Sequence, residues 1–184
     1  MKIGVFVNTN KSALKSILDK MLTSFSSTNY EFIFINEFNF LSTLFKNDPK
    51  WNNINKTDNQ GNTYDILLTI GGDGTILSAI RSEYKKEKPI LGIHAGELGF
   101  LTEGDLANCD EIFNLVKNKR FTIEKRSLFK LSLIKNKNIE NYICVNDVVI
   151  DRGESARTMK INVHEKNILV NTYVGDGLII STAN

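Results

Sequence analysis

Proline, cysteine, histidine and tryptophan are all scarce: 184 residues hold 2 Pro, 2 Cys, 2 His and 1 Trp, and the cysteine and histidine counts each close off a class of protein. Cys109 and Cys144 lie far apart with no CxxC spacing, so neither a disulfide framework nor a zinc site is indicated, and both read as ordinary buried thiols. His94 and His164 are not at metal-ligand spacing, and no Ser-His-Asp arrangement follows from their positions. Charge of one sign is missing as well. With 23 Lys and Arg against 21 Asp and Glu the net charge is +2 and no block of like charges appears, which disfavours nucleic acid as a partner. No apolar run approaches membrane-spanning length, and the opening Met1-Lys2-Ile3-Gly4-Val5-Phe6-Val7-Asn8 turns polar too soon for a signal peptide. The expectation is a cytoplasmic protein with no membrane partner. GxxxxGK[ST] and GxGxxG are both absent, which argues against the usual phosphate-loop triphosphatase and against an ordinary dehydrogenase.

What is present centres on Asp65-Ile66-Leu67-Leu68-Thr69-Ile70-Gly71-Gly72-Asp73-Gly74-Thr75-Ile76-Leu77. An apolar, β-branched run stops in three glycines and a carboxylate, then resumes at helical spacing as Ile76, Leu77, Ala79 and Ile80, so it reads as strand, tight turn, helix. Glycines let backbone N–H groups approach an anion, and the following helix aims its unpaired N–H groups and positive dipole end at the same point. Asp73 is out of place in such a turn unless it holds a metal, accepts a proton or orients a hydroxyl. The plainer reading is a glycine turn at a sheet edge with an aspartate capping the helix.

Around this turn the chain predicts alternating strands and helices. Residues 2–8 predict a strand, and Leu14, Ile17, Leu18, Met21, Leu22 and Phe25 mark one face of a helix starting near Ser12. Residues 30–35 predict the second strand, 65–70 the third, a helix follows to about Lys86, and 89–93 predict the fourth. Between them, residues 46–63 form a polar, Asn-rich insert expected to be a mobile surface loop, with Trp51 packed on its own domain. Residues 94–103 form a second glycine-bearing loop at the same sheet edge, so the two loops are expected to wall one crevice. A helix over 109–119 follows. From Phe121 the period changes to short β-rich runs at 129–134, 142–150, 159–164, 168–174 and 178–182 with no helix between them. The division expected is an α/β domain over 1–122 and an all-β region over 123–184.

Four blocks in order carry a family resemblance: Gly71-Gly72-Asp73-Gly74-Thr75, then Gly92-Ile93-His94-Ala95-Gly96-Glu97-Leu98-Gly99-Phe100-Leu101, then Asn146-Asp147-Val148-Val149-Ile150, then Gly175-Asp176-Gly177-Leu178-Ile179-Ile180-Ser181-Thr182. Together they resemble the NAD kinase family. GGDGT alone is shared with diacylglycerol-type lipid kinases; the second block separates the two. The resemblance implies an α/β fold, a Rossmann-like parallel sheet with helices on both faces followed by an all-β domain. It implies ATP-dependent phosphorylation of the adenosine ribose 2′-hydroxyl of NAD to give NADP, with Mg²⁺ as the divalent cation and no metal-ligand residue assigned. By the same resemblance Asp73 contacts that hydroxyl and promotes its attack on the γ-phosphate, while Gly71, Gly72, Gly74 and Thr75 cradle phosphates. Phe100 and Leu101 match the adenine pocket of NAD, Asn146 and Asp147 match an Asn-Glu pair that contacts the dinucleotide, and Asp176 matches the family's D-G aspartate.

The departures are His94 where Asn is commonest, Asp147 where Glu is usual, and a chain that stops at Asn184 where family members continue through a Pro-x-Gly-Ser/Thr-Thr-Ala-Tyr block and further strands. The β region is therefore expected to be truncated, with weak or no activity alone, and homo-oligomers belong to the full-length form. Two alternatives stay open: a lipid or sphingoid-base kinase sharing GGDGT, and a catalytically silent nucleotide-binding module. At residue level His94 reads as structural or as a sensor of substrate or pH, and Asp176 as a ligand contact or a turn former.

Overall fold

The computed structural model describes residues 1–26, 30–53, 55–58, 63–96 and 99–183, so Glu97 and Leu98 of the second glycine block, Ile54 and residues 59–62 of the polar insert and the terminal Asn184 lie outside the described residues. The chain divides into two compact units, Met1–Glu124 and Lys125–Asn184.

In the first unit, alternation along β1 (Lys2–Val7) sends Ile3, Val5 and Val7 to one face of a sheet and Phe6 to the other. β1 is joined in parallel by β2 (Glu31–Phe34) and β4 (Ile66–Gly71), and the sheet is completed by β3 (Asn55–Asp58) and β5 (Ile90–His94), in the order β3-β2-β1-β4-β5. Such parallel strands are covered on both faces, and all six residues of β4 are buried. One face packs α1 (Leu14–Ser24) and α5 (Cys109–Lys117), whose Leu18, Met21, Leu22 and Phe113 join Val5, Leu68 and Ile70 in the larger core. The other face receives α4 (Asp73–Glu83), whose Ala79 packs with Ile33, Tyr64 and Leu67. Truncating a fully buried residue such as Leu18 (0% exposed) would cost about 2–5 kcal/mol.

The polar insert differs from its expectation. Its described residues contain α3 (Pro49–Asn53) and the edge strand β3, and α2 (Phe38–Leu44) precedes it. Trp51 does pack on its own domain: it is 2% exposed, stacks on Phe45 at 5.4 Å and meets Phe34 at 5.1 Å. Those rings hold down a segment whose sequence reads as loop because it offers few other apolar residues. Cys109 is buried, but Cys144 is half-buried and not fully enclosed, and both are free thiols.

The second unit is all strand: β6 (Phe129–Lys135), β7 (Asn138–Cys144), β8 (Asp147–Asp151), β9 (Met159–Glu165), β10 (Ile168–Gly175) and β11 (Gly177–Ser181), paired antiparallel as β6-β7, β8-β11 and β9-β10. Asn136 and Lys137, both at positive φ (49° and 70°), close the first hairpin as a two-residue loop of the primed type. The single run read over 142–150 is broken between Cys144 and Asp147, where one strand ends and the next begins.

Candidate active site

β4 ends at Gly71 and α4 begins two residues later, so there is no room for a loop between them. A Cβ on Gly71 would lie 2.1 Å from Thr75 Oγ1, which is why the turn can close only with glycine there. The Thr75 hydroxyl accepts the Gly72 N–H at 3.3 Å, while the Gly72 carbonyl accepts the N–H groups of Thr75 at 2.9 Å and Ile76 at 3.3 Å. Gly72 is thus the cap residue, and Asp73 is the first residue of the helix.

The Asp73 side chain does not cap the helix. Its Oδ2 accepts the Phe100 N–H at 2.9 Å and its Oδ1 accepts the Leu101 N–H at 3.1 Å, so the carboxylate bridges from the glycine turn to the second glycine loop. A Cβ on Gly99 would sit 2.0 Å from Asp73 Oδ1, so that approach too depends on glycine. Each carboxylate oxygen retains a second lone pair for a further donor. Cβ atoms on Gly72 and Gly74 would meet nothing within 4 Å, leaving the outer wall of the turn open. Among the described residues none accepts from the N–H groups of Asp73 and Gly74, which are left to point at a ligand or water.

The second loop is held from below. Ala95 N–H donates to the Gly71 carbonyl at 2.9 Å, His94 N–H to that of Gly104 at 2.7 Å, and Glu103 N–H to that of Gly92 at 2.8 Å. The His94 ring, 8% exposed, places Nδ1 3.0 Å from the Gly96 carbonyl. A carbonyl only accepts, so Nδ1 carries the hydrogen, and Nε2 faces Asp105 Oδ2 at 3.8 Å. The N–H groups of Asn108 and Ala107 hold the Asp105 carboxyl below the usual carboxylate range, with the nearby His94 a smaller cause. His94 therefore ties the loop to the start of α5. Phe100, by contrast, is 97% exposed and encloses nothing within the first unit.

Seven of the ten residues singled out in the sequence come together here: Gly71, Gly72, Asp73, Gly74, Thr75, Phe100 and Leu101. The other three belong to the second unit. Asn146 and Asp147 are exposed at one end of the β8-β11 ladder, where the Asn146 carbonyl accepts Thr182 N–H at 2.8 Å and Asp147 pairs with Ser181. Asp176 is at the other end, about 13 Å away at the strand rise of ~3.3 Å per residue. It links β10 to β11, and its carboxylate takes Arg152 Nε at 2.9 Å. The ladder does not bring Asp176 beside Asn146 and Asp147.

Sequence reasoning missed a third wall. In the order β3-β2-β1-β4-β5 the connections diverge between β1 and β4, so the crevice of an open sheet of this kind opens between the ends of those two strands. The connection after β1 is Asn8-Thr9-Asn10-Lys11, and Asn8 N–H is anchored on the Ile70 carbonyl at 2.9 Å. No motif marks it; only strand order does. A cavity of about 630 Å³ lies at the opposite edge of the sheet, lined by Met1, Tyr30, Asp65, Pro89 and Phe121 among others, and is remote from these loops.

A doubly wound parallel sheet with a carboxylate set in a glycine turn at its carboxyl edge defines a Rossmann-like α/β domain, here followed by a β-rich unit. Residues 3–121 match the family model described as ATP-NAD kinase N-terminal domain, and the chain belongs to the NAD kinase family. It is 34% identical over 183 residues to the NAD kinase of Campylobacter lari, covering 100% of this chain and 60% of that protein. It is 31% identical over 189 residues to the NAD kinase of Clostridium kluyveri, covering 98% and 59%. The chain thus spans about 60% of the length of these curated relatives. A solved structure of yeast NADH kinase complexed with NADH shares the fold at TM-score 0.80 with 22% identity, over 99% of this chain and 57% of that one.

Proposed function

We propose that this chain carries the phosphate turn and the acceptor loop of an enzyme that transfers the γ-phosphoryl group of ATP to the adenosine ribose 2′-hydroxyl of NAD, giving NADP and ADP. The observation that carries this reading is the Asp73 carboxylate, fixed by the Phe100 and Leu101 N–H groups at the mouth of α4 with a lone pair left on each oxygen. A hydroxyl donating to Asp73 is oriented as a nucleophile. Its oxygen forms the new bond to phosphorus, the bond from phosphorus to the bridging oxygen of ADP breaks, and the proton passes to the carboxylate or to solvent. Because such transition states are loose, positioning by Asp73 counts for more than full proton removal beforehand.

Gly72 and Gly74 keep the backbone open to phosphate oxygens while Gly71 and Thr75 close the turn that presents it, Phe100 and Leu101 face the adenine of NAD, and Asn146, Asp147 and Asp176 are the dinucleotide contacts of the β-rich unit. Mg²⁺ fits as a ligand of the nucleotide. It takes most of its octahedral oxygens from phosphate and water, the described residues converge in no group of three or more His, Cys, Asp or Glu, and Asp73 has lone pairs to contribute. Bound there, Mg²⁺ would neutralise charge on the transferring phosphoryl. Two free thiols suit a reducing cytoplasm, and no helix among the described residues is long and apolar enough to cross a membrane. Assembly with further copies through the β-rich unit belongs to the same reading, supported by apolar side chains exposed there, such as Val174 and Ile179.

The test is Asp73→Asn. NADP formation should fall by about 10²–10⁴-fold while NAD still raises the thermal midpoint of the variant, and unchanged phosphorylation would remove Asp73 from the mechanism.

A further inference from the structure

We infer that Lys11 is the cation that binds the donor triphosphate, on the β1 side of the crevice opposite Asp73. This inference rests on the kinase reading for the identity of the nucleotide, but not for the presence of the anion site. Three observations carry it. First, Lys11 lies in the connection that follows β1, at the point where the strand order diverges, and that connection is fixed: Asn8 N–H is bound to the Ile70 carbonyl at 2.9 Å, Asn10 N–H to Asn8 Oδ1 at 3.0 Å, and the Lys11 carbonyl accepts Leu14 N–H at 3.1 Å. Second, the Lys11 side chain reaches across to the second glycine loop, its Nζ 3.8 Å from where a Cβ on Gly96 would sit. Third, among the described residues Lys11 has no ion-pair partner, although other lysines of the same unit find carboxylates, Lys20 with Asp110 at 2.7 Å and Lys86 with Glu83 at 2.8 Å. A half-buried lysine, anchored at its backbone and given no counter-charge among the described residues, is placed to take one from a ligand.

Geometry separates the donor from the acceptor. The loop from Gly96 to Gly99 is short, at most about 11 Å between Cα atoms, with Lys11 against its first residue and Asp73 against its last. Asp73 and the exposed Phe100 mark the end that takes the acceptor hydroxyl. Lys11 lies against the other end of the same loop. A lysine there meets the charge that grows on the leaving diphosphate as the phosphorus–oxygen bond breaks. Lysine suits this role as a point charge on a flexible stem, able to follow oxygens that change partners.

The experiment measures NADP formation by the wild-type protein, Lys11→Ala and Lys11→Arg, varying ATP and NAD separately, and follows binding of inorganic tripolyphosphate by calorimetry. Lys11→Ala should raise KM for ATP about 10- to 100-fold, the loss expected for one charge-assisted hydrogen bond, leave KM for NAD within about twofold, and weaken tripolyphosphate binding in step. Lys11→Arg should recover most of the loss, and the thermal midpoint of Lys11→Ala should match wild type. A rise in KM for NAD alone, or equal tripolyphosphate binding by wild type and Lys11→Ala, overturns the inference. Lysine-dependent tripolyphosphate binding upholds the anion site whether or not NADP forms, and phosphorylation of an acceptor other than NAD alongside it would overturn the kinase reading alone.

Discussion

A methyl group at Gly99 would fall 2.0 Å from Asp73 Oδ1, whereas one at Gly72 would meet nothing within 4 Å and suits the backbone already there (φ −118°, ψ −169°). The same substitution therefore separates a glycine required by the protein from one left open for a ligand. Gly99→Ala must push the carboxylate off the Phe100 and Leu101 N–H groups, at about 1–3 kcal/mol, and should lower the thermal midpoint by several degrees and abolish phosphorylation together. Gly72→Ala should keep the wild-type midpoint and lose phosphoryl transfer alone. Calorimetric scans beside NADP assays check both, and a stable, active Gly99→Ala would contradict the close approach. The glycines and Asp73 were legible in the sequence because their spacing is local. Their partners were not: Asp73 meets Phe100 across 27 residues, and Lys11 meets Gly96 only because β1 lies beside β4.

At the scale of elements, α5 begins where the second loop ends, and Asp105 makes that junction. Its Oδ1 accepts Ala107 N–H at 2.7 Å and Asn108 N–H at 3.1 Å, and its own N–H donates to Asn108 Oδ1 at 2.8 Å. Because these N–H groups favour the ionised form, the folded carboxyl titrates below its unfolded value of about 3.9. The stabilisation is therefore present in full above that value and fades as pH falls through the lower folded value. Asp105→Ala should be less stable than wild type at neutral pH by a constant margin that narrows below about pH 4, read from urea midpoints between pH 7 and 3. A margin independent of pH would assign the loss to packing. The helix α5 itself was legible from Ile112, Phe113, Leu115 and Val116, but α2, α3 and β3 were not. Seven, five and four residues are too few to establish a period, and Asn55-Lys56-Thr57-Asp58 has no strand signature of its own; pairing with β2 makes it a strand. Trp51 supplied the one hint, through the ring cluster that fixes this segment and the Lys56 ammonium 5.0 Å over its face.

Across the whole molecule, burial is divided unevenly. Among the described residues every buried apolar side chain except Val145 belongs to Met1–Glu124, where both core clusters lie. Lys125–Asn184 instead pairs its backbone in three two-stranded ladders while exposing Ile134 (68%), Ile168 (73%), Val174 (70%) and Ile179 (66%). Backbone pairing alone is not enough: an isolated pair of strands is marginal in water, since its hydrogen bonds replace those to solvent and little apolar surface is removed. The change from helical to strand periodicity near residue 121 gave the sequence a visible seam, but periodicity reports which faces are apolar and not whether anything covers them. The two segments should therefore behave differently when made separately. Residues 1–124 should unfold in one cooperative transition, with coincident loss of near- and far-ultraviolet circular dichroism. Residues 125–184 should bind an apolar dye such as ANS and lose their strand signal gradually with urea, without a midpoint. A cooperative transition in 125–184 would mean that its ladders form a core of their own. Failure of 1–124 to unfold cooperatively would mean that its doubly covered sheet, and with it the Asp73–Phe100 bridge, depends on the residues that follow.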